Sequence, residues 1–119
     1  MKLITSLLAI VSRAEQFRKE TKKRNGKAYD GFITFDVNKE TATLTMTATD
    51  GDVHMDEKIC LFEVEGNFKF QMHIKKILNV LGCMSERPIE IYTVGHQIYC
   101  KVFAEIGTLI WKRHENNSQ

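Results

Sequence analysis

Thr41-Ala42-Thr43-Leu44-Thr45-Met46-Thr47-Ala48-Thr49-Asp50-Gly51-Asp52-Val53-His54-Met55 is the stretch whose reading decides the fold. Threonine alternates with Ala, Leu, Met and Ala from Thr41 to Thr49. Successive side chains of a strand point to opposite faces, so this run presents one apolar face and one row of hydroxyls. Asp50-Gly51-Asp52 is turn chemistry, and the alternation resumes at Val53. The spacing predicts two strands, Thr41 to Thr49 and Val53 to Leu61, joined by a tight turn.

Upstream, Gly31 to Val37 alternates in the same way and leads through Asn38-Lys39-Glu40 into the first of these strands, which predicts an antiparallel pair. Leu7, Leu8, Val11 and Ala14 recur at helical spacing, predicting a helix over roughly residues 6–20. Thr5, Ala9, Ser12, Arg13 and Gln16 fall on its opposite face. Arg18 falls back on the apolar side, so the helix is expected to loosen there into a basic loop, turned at Asn25-Gly26. Met1 to Thr5 reads as a short strand or as the lead-in to the helix.

Downstream, Phe68, Phe70 and Met72 alternate after the Gly66-Asn67 break. Ile74, Ile77, Leu78 and Leu81 then predict a second amphipathic helix that stops at Gly82. After Pro88, three strands are expected: Ile89 to Val94, Ile98 to Phe103 and Thr108 to Arg113, with turns at Gly95-His96 and Glu105-Ile106-Gly107. The expected class is α+β, an antiparallel sheet with two amphipathic helices on one face. Leu7, Leu8, Val11, Ile74, Ile77, Leu78 and Leu81 should be buried together, and Leu78→Ala should cost roughly 2–5 kcal/mol.

The 119 residues suit one domain, with 43% hydrophobic and 27% charged residues as in ordinary globular chains. Residues 1–114 are expected to form the domain and residues 115–119 a disordered tail. Lys2 and the apolar run Leu3 to Val11 resemble a signal peptide, but the run is short, contains Thr5 and Ser6, and continues into a helical pattern. No run approaches the roughly 20 apolar residues a membrane helix needs, so no membrane partner is expected. Cys60, Cys83 and Cys100 are odd in number and lack a Cys-x-x-Cys pair, pointing to free thiols and a cytoplasmic setting. Cys60 and Cys100 lie in strand-like runs and are expected to be buried.

The net charge of +2 conceals an asymmetry. Residues 1–30 hold eight Lys/Arg against Glu15, Glu20 and Asp30, a balance of +5, and the remainder balances at −3. The excess is concentrated in Arg18, Lys19, Lys22, Lys23, Arg24 and Lys27. Such a cluster fits a phosphate-binding patch, and fits equally the C-terminal end of a solvated helix. Lys75 and Lys76 occupy the polar side of the second helix, beside Asn79.

No catalytic or nucleotide-binding motif occurs. His54, with Asp52 and Asp56 on one strand face, offers too few convergent ligands for a zinc site, and the other histidines are unpaired. No metal, cofactor or catalytic residue is expected, and the chain reads as a non-enzyme. Phe32, Phe35, Phe68, Phe70, Tyr92, Tyr99, Phe103 and Trp111 all lie on predicted strands. They fit a core, or in part a stacking platform for single-stranded nucleic acid.

Several segments carry a resemblance. Met1-Lys2-Leu3 opens onto an amphipathic helix, and Ala48-Thr49-Asp50 is followed by Val53-His54-Met55. Phe70-Gln71-Met72-His73-Ile74-Lys75-Lys76-Ile77-Leu78 runs from strand into helix, and Ile89-Glu90-Ile91, Gln97-Ile98-Tyr99-Cys100 and Thr108-Leu109-Ile110-Trp111 close the pattern. Through these, residues 1–114 resemble one domain of the DNA sliding clamps, most closely the first domain of the bacterial DNA polymerase III β subunit. In that family, two helices per domain line a ring of six domains and meet the DNA backbone without reading sequence.

The resemblance implies a sequence-independent, processivity-type DNA-binding protein that works as a homo-oligomer, with double-stranded DNA and replication or repair proteins as partners. It implies DNA contacts by Arg13, Arg18, Lys19, Lys22, Lys23, Arg24, Lys27, Lys75 and Lys76. Arg13, Arg24, Lys75 and Lys76 would share one surface. Bacterial clamp chains carry three such domains and this sequence one. The family's peptide pocket lies in later domains, so no residue here inherits it. The rival reading is a protein-interaction module that keeps the fold without a DNA role.

Overall fold

The structure, a computed structural model, describes residues 1–84, 87–103 and 109–114. The quoted stretch forms β3 (Thr43–Asp50) and β4 (Val53–Cys60), paired antiparallel from Thr43↔Cys60 to Asp50↔Val53. Gly51 turns this hairpin with φ +63°, a left-handed conformation that a side chain would disfavour. Leu44 and Met46 are fully buried, while Thr47 and Thr49 face out, as the period-two pattern requires. β2 (Phe32–Asn38) lies against β3, and β6 (Phe68–His73) against the other side of β2. This four-stranded sheet has the order β4-β3-β2-β6.

The remaining strands form a second sheet rather than extending the first. β1 (Lys2–Ser6) lies between β7 (Pro88–Val94) and β5 (Glu63–Glu65). β8 (Gln97–Phe103) and β9 (Leu109–His114) complete the order β5-β1-β7-β8-β9. The two sheets and the helices share one core that includes Leu3, Leu7, Phe35, Met46, Ile77 and Ile91. Phe35 stacks on Phe70 within it, with centroids 4.8 Å apart and planes 3° from parallel. The expected tail at 115–119 and the Glu105-Ile106-Gly107 turn lie outside the described residues.

The first helix, α1, spans Leu7–Asn25 and does not loosen at Arg18. Its buried stripe runs Leu7, Ile10, Val11, Ala14, Phe17 and then Thr21. Thr21 is polar yet fully buried, because its hydroxyl donates to the Arg18 carbonyl at 2.9 Å and accepts from the Tyr29 amide at 2.9 Å. Ser6 caps the start by accepting from the Ala9 amide. Gly26 ends the helix at φ +78°, donating to the Lys22 carbonyl at 2.9 Å. Arg18 to Arg24 of the basic cluster therefore sit on the last two turns of a helix rather than on a loop, and Lys27 lies just beyond its end.

The second helix, α2, is shorter than expected. It spans Ile74–Asn79, and a 3-10 turn over Leu81–Met84 follows, with Gly82 inside it rather than at a helix end. His73 caps α2: its Nδ1 accepts from the Lys75 amide at 3.1 Å. α1 packs against α2, against the 3-10 turn and against β4.

Two core expectations are corrected. Leu8 is 50% exposed because Leu7 takes the inward position and the next residue turns about 100° away. Leu78 is only half-buried, so its truncation should cost less than that of its fully buried neighbour Ile77. Cys60 is also exposed, on the parity opposite Ile59, whereas Cys100 is buried. Burial pushes the Cys100 thiol up to about 12. A thiol reagent at pH 8 should titrate Cys60 and Cys83 in the folded protein and Cys100 only after denaturation. Because the folded pKa of Cys100 exceeds the unfolded one, its contribution to stability is present below pH 9 and lost as pH climbs through about 12.

Candidate nucleic-acid interface

The folded chain divides the nine predicted cationic contacts into groups. Arg18, Lys19 and Lys22 line a concavity of about 420 Å³ between α1 and α2, with Glu15, Ala28, Leu78 and Asn79. Helical spacing explains the trio: residues three and four apart share a face, and the Ala14–Phe17–Thr21 stripe beside it is turned into the core. All three cations are exposed. Glu15 is the acidic member of the cleft. Lys23 is exposed on the same last turns, where cations also complement the C-terminal end of the helix dipole.

Arg13 points elsewhere. It lines a cleft of about 200 Å³ between α1 and β4, with Phe17, Glu20, Val53, His54 and Glu57. Its Nε lies 3.6 Å from the Glu57 carboxylate, and its Nη1 donates to the Ala9 carbonyl at 3.0 Å. Glu57 follows Val53 and Met55 at two-residue steps, so the strand aims a carboxylate at the helix where an apolar side chain would otherwise sit. Arg24 pairs with Glu20 at 3.9 Å, one turn back along α1. Residue 13 falls on the flank of α1 that packs on β4, and Arg18 and Lys22 on the flank that packs on α2.

The α2 cations are held from a direction the sequence did not reveal. Lys75 Nζ lies 3.5 Å from the Asp30 carboxylate, and the same oxygen lies 3.3 Å from His73 Nε2. With Nδ1 accepting from the Lys75 amide, the proton of neutral His73 belongs on Nε2, facing Asp30. Asp30 thus braces both the cap of α2 and its first lysine. Asp30 is brought there by the antiparallel pairing of β2 and β6, in which Phe32 lies opposite His73. Lys76 is half-buried on the same helix. Lys27 lines a third hollow, with Asn25, Tyr29, Asp30 and Asp50. There the Tyr29 phenol is pushed up by burial and then by the Asp50 carboxylate.

His54, the sequence's best metal candidate, shares a hydrogen bond of 3.2 Å between its Nδ1 and the Thr49 hydroxyl. Among the described residues no group of three His, Cys, Asp or Glu side chains converges on one point. Among them also, no helix is long and apolar enough to cross a membrane.

No protein-family model matches the sequence, and no curated protein matches it. Solved structures do match. A protein from Eubacterium rectale described as a DNA polymerase III beta subunit superposes with a TM-score of 0.72 at 13% identity, over 98% of this chain and 30% of that one. The Helicobacter pylori beta clamp, solved bound to a DNA ligase peptide, gives 0.67 at 16% identity over 99% of this chain and 32% of that one. The beta subunit of the Streptococcus pyogenes DNA polymerase gives 0.69 at 7% identity over 96% of this chain and 30% of that one. The chain spans about a third of the length of these relatives in structure. With two antiparallel sheets, two helices and this match along almost all of its length, it has the fold of a single DNA-clamp domain.

Proposed function

We propose that the protein binds the backbone of double-stranded DNA without sequence preference, as a non-enzymatic, clamp-like homo-oligomer in the cytoplasm. The observation that carries this reading is the cleft between α1 and α2, where Arg18, Lys19 and Lys22 line one concave surface with Leu78 and Asn79 of α2. Phosphates attract such a surface through charge alone. The resulting affinity is independent of sequence, falls with salt and permits sliding. The fold supports the same reading, since the matching structures are clamps and polymerase beta subunits. Replication or repair proteins are the partners that fit.

Assembly follows from the sheet edges. β4 ends one sheet and β9 the other. An edge strand offers unpaired backbone groups. Joining the β4 edge of one copy to the β9 edge of the next is a head-to-tail contact, the kind that closes rings. Light scattering at micromolar concentration should give a multiple of 13.7 kDa, and added duplex DNA should shift that mass further. A 13.7 kDa species that ignores duplex at every concentration would overturn the proposal.

A further inference from the structure

The outer face of the five-stranded sheet carries chemistry that duplex binding does not use. Ile89, Ile91, Ile98, Cys100 and Val102 point into the core. Strand alternation turns Tyr92, Tyr99 and Lys101 to the opposite face, where all three are half-buried. Tyr92 and Tyr99 are direct cross-strand partners with ring centroids 5.3 Å apart and planes 21° from parallel. The Lys101 ammonium lies 5.1 Å from the centre of the Tyr92 ring. In the register of the next strand, Arg113 is opposite Tyr99 and Trp111 is opposite Lys101. Three neighbouring strands thus bring aromatic and cationic residues into two adjacent rows.

We infer that this face binds single-stranded DNA, with unpaired bases stacking against the Tyr92–Tyr99 pair and the backbone drawn to Lys101. Bases in a duplex are already stacked on one another and offer no face to a ring, whereas unpaired bases do. Every base has such a face, so the preference is for single strands and not for a sequence. Loss of surrounding water, and then the Glu90 carboxylate, push the Tyr92 phenol up. Charge sets the direction of the track. Glu63 and Glu65 on β5 repel phosphate, and Lys2 is engaged by Glu63 at 3.8 Å. The strand therefore runs from Tyr92 across β8 toward β9. Glu90 lies opposite Lys101 in the β7–β8 register and is an acidic residue beside that path. This surface is separate from the α1–α2 cleft, and the inference does not depend on duplex binding.

The test uses end-labelled oligo-dT of about twenty nucleotides, enough to cross one sheet, read by anisotropy in about 0.1 M salt. Saturable binding is expected. The Tyr92→Leu/Tyr99→Leu pair, which keeps apolar bulk on the strands, should lower affinity roughly tenfold or more. Lys101→Gln should lower it severalfold and Glu90→Gln should raise it. Arg18→Gln/Lys19→Gln/Lys22→Gln, which removes only charge attraction for the phosphates, should lower oligo-dT affinity less than the tyrosine pair does. Should the tyrosine pair not fold, photocrosslinking of bromouracil-substituted oligo-dT to the wild-type protein should label the peptides holding Tyr92 or Tyr99. No binding of oligo-dT, as expected if the face receives a protein strand instead, would overturn the inference. So would binding that the helix variants abolish and the tyrosine variants leave intact, or crosslinks confined to α1 and α2.

Discussion

Neutralising Arg18, Lys19 and Lys22 together with Gln is expected to lower duplex affinity on the order of a hundredfold in 0.1 M salt. Each lysine or arginine that meets a phosphate releases about one counterion, so three lost contacts should make the log–log salt dependence shallower by about three units. The loss should be equal for unrelated duplex sequences, because a charge on the backbone reads none. All three side chains are exposed on α1, so the melting temperature should hardly move. Arg13→Gln should behave differently. Its guanidinium lies between the Ala9 carbonyl and Glu57, so its loss should cost stability at the α1–β4 contact and leave the salt slope unchanged. Unchanged duplex affinity in the triple variant would place the DNA surface elsewhere.

Phe35→Ala is expected to cost about 3–5 kcal/mol. The side chain is fully buried, stacks on Phe70, and sits on β2 between Met46 and Phe70 in the register. Domains of this kind have only about 5–15 kcal/mol of stability in total. Thermal unfolding should therefore shift down by roughly 10–20 °C, and more of the chain should be unfolded at working temperature. Thr47→Ala, on the exposed face of β3, should change stability by less than about 0.5 kcal/mol. A cost below that figure at Phe35 would mean that β2 does not carry the core.

The contrast between Phe35 and Thr47 shows what local pattern can reveal. Both follow from two-residue alternation, and so do the β3–β4 hairpin and its turn at Gly51. Elements that depend on distant partners were not legible. β5 is three residues long, Glu63-Val64-Glu65, and exists because it pairs with β1 some sixty positions earlier. The end of α1 was hidden because Thr21 is buried through hydrogen bonds to Arg18 and Tyr29, whereas periodicity counts only apolar residues. Nothing local indicates that the nine described strands split between two sheets that share a core, or that β1 belongs with β7 rather than with β2.

The candidate site was legible in the same uneven way. The cluster from Arg18 to Lys27 and the pair Lys75–Lys76 stand out by charge, and helical spacing puts Arg18, Lys19 and Lys22 together. The partners of these cations did not stand out. Asp30 reaches His73 and Lys75 only through the β2–β6 register, and Glu57 reaches Arg13 only because α1 lies over β4. Charge patterning finds cations. Tertiary pairing decides which of them already have a carboxylate and which line an open cleft.

The most direct test of the DNA role is the affinity of the wild-type protein for two unrelated duplexes of equal length, measured from about 50 to 200 mM salt. The α1–α2 surface predicts the same affinity for both. It also predicts a straight log–log plot whose negative slope is close to the number of phosphates neutralised, at least three for Arg18, Lys19 and Lys22. No duplex affinity at 50 mM salt, or an affinity that differs between the sequences and ignores salt, would contradict it.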